Sequence, residues 1–129
     1  MGGKQAVESY LRDKLAFWQG RLKLDDWSVT LVISEAGDLR PGTLGNIHWD
    51  ADKKTAVIKV LSGAARETGS HDALPEMEFT IIHELIHLEL AYLPRTEESR
   101  PAEEFAVNHL AEALRQTERS SDVAVQSAR

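Results

Sequence analysis

The chain has no cysteine in its 129 residues. Disulfide scaffolds and thiolate metal sites, including cysteine-ligated zinc fingers, are thereby excluded. It also lacks an excess of positive charge, with 15 Lys and Arg against 21 Asp and Glu for a net charge of −6. No broad electrostatic attraction to nucleic acid or to an anionic membrane follows from such a balance. No basic, apolar, small-residue signal pattern opens the sequence, and Ala6 stands where a myristoylation motif wants Ser or Thr. The longest apolar run, residues 79–93, is short and is interrupted by His83, Glu84, His87 and Glu89, so it does not read as a membrane span. A cytoplasmic protein is the expectation. No internal repeat is present. What remains is an ordinary globular balance, 42% hydrophobic and 28% charged, sized for one domain with one modest core.

The chemistry concentrates in that apolar run, FTIIHELIHLELAYL. On a helix, residues four apart share a face about one turn, or ~6 Å, along the axis. His83 and His87 can therefore offer nitrogens to one metal ion. Glu84 projects roughly 100° round from His83, within reach of a water activated by the metal without ligating the ion. Zinc suits an imidazole and carboxylate set and accepts four-coordination with one open position. The plainer alternative is a chance match in a buried helix. It leaves three polar groups in an apolar setting, each costing roughly 1–3 kcal/mol if unpaired.

The remaining elements follow from periodicity. Val7, Tyr10, Leu11, Leu15, Trp18 and Leu22 form one stripe of an amphipathic helix over residues 4–22. Trp27 to Ile33 alternates and is β-branched, a strand. Residues 36–42, with Gly37, Pro41 and Gly42, read as a loop. Thr43–Trp49 and Thr55–Leu61 read as a hairpin joined by Asp50 to Lys54. Ser62–Ala73 is expected to be a surface loop. The His-Glu helix should begin near Pro75, and Pro94 should stop it. A further helix runs from Pro101 to about Arg115. The polar stretch 116–129 is expected to be a disordered tail, leaving residues 1–115 as the domain. The fold class is α+β: a small mixed sheet, three-stranded or slightly larger, packed on the His-Glu helix between an N-terminal helix and a C-terminal Glu-bearing helix.

His-Glu-Leu-Ile-His on a long apolar helix resembles the active-site helix of the zincin metallopeptidases. The resemblance implies a sheet beside that helix, a third metal ligand further on, and hydrolysis of peptide bonds. Leu90 and Leu93 stand where metzincins carry Gly and a third His, so that arrangement is excluded. A peptide-deformylase-like site is excluded too, because it needs a Cys ligand. The gluzincin arrangement takes its third ligand as a carboxylate from a later helix, and Glu103-Glu104-Phe105-Ala106-Val107-Asn108 is the supplier here. Periodicity alone favours Glu103, which falls on the side of Val107, Leu110 and Leu114. Likeness to the Glu helix of small ImmA/IrrE-like peptidases points instead to Glu104, with Asn108 supporting His83 or His87 from behind. The resemblance thus implies zinc on His83, His87 and Glu104, Glu84 as general base, and a peptide or protein substrate. Tyr92, His71, His109 and His48 are candidate oxyanion donors, and Gly45–Trp49 is the candidate edge strand for substrate. The alternative is a zincin-like regulatory or binding protein whose metal site is structural or vestigial. Nothing in the sequence specifies an oligomeric state.

Overall fold

The apolar stripe of the N-terminal segment becomes α1, Gly2–Arg21. Leu11, Leu15 and Trp18 are buried along it, with Val7, Tyr10 and Leu22 packed at the margins. The computed structural model describes the backbone of residues 2–63 and 73–127 and the side chains of residues 5–63 and 73–119. After α1 the chain turns back through Lys23, at φ 59. Gln19 braces this turn, its Nε2 donating to the carbonyls of Leu24 (3.0 Å) and Trp27 (2.7 Å).

Three strands follow: β1 (Ser28–Ser34), β2 (Gly45–Asp50) and β3 (Thr55–Leu61). A single 3-10 turn at Ala36–Asp38 lies in the loop after β1. The sheet is mixed, in the order β1-β3-β2, with β1 parallel and β2 antiparallel to β3. Alternation places Ala56, Ile58 and Val60 inward and leaves Val57 exposed on the other face. Leu31, Ile58 and Ile47 stand in one cross-strand row facing the helices. The hairpin closes through Asp50, whose carboxylate accepts from the backbone N–H of Asp52 and Lys53.

The His-Glu helix, α2 (Leu74–Glu89), is the hub against which α1, β2, β3 and the last helix all pack. Met77, Ile81, Ile82, Leu85 and Leu88 are buried around it, as expected of a helix apolar on nearly every side. Glu78 pins it to α1, accepting from Trp18 Nε1 (2.8 Å) and the Tyr10 hydroxyl (3.3 Å), with Lys14 Nζ at 3.9 Å. Pro75 sits in the first turn as expected. The helix ends at Glu89 rather than running up to Pro94. A proline lacks an N–H and collides with the carbonyl four residues earlier, so the strain falls at Leu90 and the helix unwinds there.

The last helix, α3, spans Arg100–Ser127 and outruns the expected end near Arg115. The stretch beyond Arg115 contains neither Gly nor Pro, and once the helix is nucleated each added residue gains one backbone bond for the single residue it fixes. Arg21 meets Glu118 at 3.2 Å, linking this extension to the end of α1. The loop expected at Ser62–Ala73 lies, over residues 64–72, outside the described residues. No helix among the described residues is long and apolar enough to cross a membrane.

Candidate metal centre

Helical spacing places His83 and His87 on the same side of α2, their ring centroids 4.9 Å apart. The chain then turns at residues 90–99, and α3 brings a carboxylate to them. Glu104 Oε1 lies 2.7 Å from His87 Nε2 and 3.2 Å from His83 Nε2. One ligand atom from each of the three side chains falls within 4.8 Å of the other two, so His83, His87 and Glu104 could hold a metal ion. The hydrogen bonds between them use the lone pairs that coordination would use, so a cation would replace the shared protons. Both imidazole side chains are mostly shielded, at 16% and 14% exposed, while that of Glu104 is 51% exposed at the rim.

Glu103, one residue earlier, goes elsewhere. Its Oε2 meets His87 Nδ1 at 2.7 Å, on the opposite side of the ring from Glu104. Arg95 chelates the same carboxylate, Nε at 3.1 Å from Oε1 and a terminal nitrogen at 2.7 Å from Oε2. Burial works to raise the Glu103 pKa, but the bonds from Arg95 and His87 outweigh it and hold the carboxyl below its ordinary range. For Glu104 burial is likewise outweighed, by the bond to His87 and the charge of the two imidazoles, and its pKa is lowered. Ionised carboxylates only accept, and both ring nitrogens of metal-free His87 face one; a cation shared with Glu104 would replace the proton at Nε2 and leave Nδ1–H donating to Glu103.

The expectation that Asn108 backs one of the histidines is therefore corrected. Asn108 stands on the wall of the cleft; among the described residues the ring nitrogens of His83 and His87 bond to Glu103 and Glu104, not to Asn108, and the position behind His87 belongs to Glu103. The wheel argument for Glu103 is corrected in part as well. Val107 and Ala111 are fully buried and Leu114 is partly so, but Leu110 is 50% exposed. The buried stripe runs Val107–Ala111–Leu114, and Glu103 and Glu104 sit four and three residues before Val107, flanking its near end.

Glu84 is 7% exposed, between α2 and the sheet. Burial pushes its carboxyl up to about 7, Glu104 adds to the rise, and His87 opposes it. A carboxyl with such a value is suited to exchanging protons near neutral pH. Close approach of β2 makes this burial possible. A Cβ at Gly45 would lie 2.5 Å from Thr80 Cγ2, 2.6 Å from the Lys59 carbonyl and 3.7 Å from Glu84 Oε2. Only glycine lets the strand lie against α2 at this point.

The site opens into a cleft of about 630 Å³ between β2, α2 and the start of α3. The whole of Gly45–Trp49 lines one wall, with Phe79 and Leu44 supplying apolar surface and Arg40, Arg95 and Arg100 positive charge. Trp49 is covered by Arg95, 4.8 Å from guanidinium carbon to ring centre. Of the four candidate oxyanion donors, His48 lines the cleft. Tyr92 leans on Trp27 and His109 bonds the Phe105 carbonyl; neither borders the cleft. His71 lies outside the described residues. Sequence reasoning missed Arg95, whose place after Pro94 carries no pattern. It also missed the role of Gly45, for which a glycine inside a strand was the available signal.

Compared with family models, with curated proteins and with solved structures, the chain matches none.

Proposed function

We propose that this chain is a zinc-dependent metallopeptidase of the HExxH…E type, acting on a peptide or protein segment in the cytoplasm. The observation that carries the reading is the convergence of His83, His87 and Glu104 donor atoms beside a buried Glu84, at the floor of a cleft walled by an edge strand. Two imidazoles and a carboxylate suit zinc in kind and number for a site with one open position. Zinc held there would polarise a scissile carbonyl and acidify a water. Glu84 takes the proton of the attacking water on its carboxylate and delivers it to the leaving amine. The outer edge of β2, unpaired among the described residues, aligns an extended peptide by backbone hydrogen bonds. His48 borders the cleft, but it pairs with Val57 on the sheet face turned away from α2, so no described candidate side chain is assigned to the developing oxyanion.

The test is direct. Purified protein should hold about one zinc per chain by elemental analysis, and should generate new termini in a proteome-derived peptide library read by mass spectrometry. Glu84→Gln should keep the metal and lose cleavage by roughly 10²–10⁴-fold. Glu104→Ala should lose the zinc. Stoichiometric zinc with no cleavage, and a Glu84→Gln protein as biologically competent as wild type, would favour a zincin-like regulatory or binding protein instead.

A further inference from the structure

His87 is gripped from both sides, and the two grips differ in kind. Glu104 approaches Nε2 from a half-exposed rim, free to turn toward a cation. Glu103 approaches Nδ1 from a position 17% exposed and is itself held at both oxygens by Arg95. A carboxylate chelated by a guanidinium has little freedom to swing round and ligate. Arg95 is in turn fixed by the face of Trp49 on β2. The turn that follows is closed by reciprocal bonds between Thr96 and Ser99, backbone N–H of each to side-chain oxygen of the other, at 2.9 and 3.1 Å. The chain from β2 to His87 is thus continuous: Trp49, Arg95, Glu103, imidazole.

We infer that Glu103 is a positioning residue for the metal centre, setting the Nδ1–H form and ring orientation of His87, and that Arg95, seated on Trp49, keeps Glu103 out of the metal's own coordination. This rests on the metal-binding half of the proposed function and is independent of the hydrolytic half. Carboxylate partners behind metal-bound imidazoles raise ligand basicity and fix the ring, and their loss typically weakens binding 10–100-fold. A residue serving only to join α2 to α3 would change stability and leave that affinity alone.

The experiment titrates metal-free protein with zinc chloride against a competing chelator, alongside long-range proton–nitrogen NMR of histidine-labelled, zinc-loaded protein. Wild type should show His87 protonated at Nδ1 and metal-bound at Nε2. Glu103→Ala should bind zinc 10–100-fold more weakly and lose the fixed Nδ1–H signal of His87, with the His83 signals unchanged. Glu103→Gln keeps a neutral acceptor and should recover most of the affinity. Arg95→Ala should fall between wild type and Glu103→Ala. Should Glu103→Ala fail to fold, Arg95→Ala carries the test, with zinc affinity below that of wild type expected and wild-type affinity overturning the inference. Folded Glu103→Ala and Arg95→Ala proteins with wild-type zinc affinity would overturn the inference, as would zinc found on His87 Nδ1. A wild type that takes no zinc removes the centre and the inference together. Zinc binding that depends on Glu103 in a protein that cleaves nothing sinks only the peptidase reading.

Discussion

Glu84 sets a conflict between burial and charge that pH can expose. Its folded-state pKa of about 7 lies above the ordinary carboxyl value of 4.5. Between those values the folded, metal-free protein holds a proton that the unfolded chain has released. This group therefore favours folding least at high pH: the penalty is absent below about pH 4.5 and complete above about pH 7. The shift corresponds to a penalty on the order of 3 kcal/mol. Glu103 and Glu104, with lowered values, act in the opposite direction but are common to wild type and variant. Metal-free Glu84→Gln should thus gain stability over wild type as pH rises from 4.5 to 7, read from denaturant midpoints across that range. Parallel pH profiles for the two proteins would refute the assignment of a buried, raised carboxyl.

Among the elements, β2 carries the tightest constraint. Gly45→Ala drives a methyl into Thr80 and the Lys59 carbonyl, and the latter is backbone that cannot step aside. The variant should lose roughly 1–3 kcal/mol in urea unfolding and move β2 off Glu84. Gly37, where an added Cβ meets nothing within 4 Å, is the control, with a change inside about 0.5 kcal/mol. The helices and strands themselves were legible in the sequence, because the α1 stripe, the β3 alternation and the His-Glu spacing are local patterns. The choice between Glu103 and Glu104 was not. Both flank the same buried stripe, and their roles separate only when α3 docks on α2 and Arg95 claims one of them. Asn108 was misjudged for the same reason: spacing along a helix says which side chains are neighbours, not which of them meets a ring on another helix. The end of α2 was legible only to within a turn, because a proline acts on the residues before it.

For the molecule as a whole, a metal at this centre would tie α2 to α3 across a connection otherwise secured by the Arg95 and Thr96–Ser99 contacts. Anything that binds only the folded state stabilises it, by about 4 kcal/mol when free ligand is a thousandfold above its Kd. Zinc at that excess should raise Tm by on the order of 10 °C, in a thermal scan reversed by chelator. Glu104→Ala should abolish the rise. An unchanged Tm with saturating zinc would mean that the two helices are not joined through the ion. The same scan applied to Glu84→Gln should show the full rise, since that carboxyl holds no ligand position.

The bond from Trp18 to Glu78 has a reach beyond the two helices it joins. Glu78 stands little more than one turn ahead of His83, so a clamp on it helps the core packing resist a roll of α2 about its long axis. A slip of one residue is about 100° of rotation, enough to aim both imidazoles at the sheet instead of at α3. The indole of a helix that contributes no ligand thereby adds to the packing that holds the roll of α2. Trp18→Phe, which keeps the bulk and drops the donor, should loosen zinc binding from some distance away.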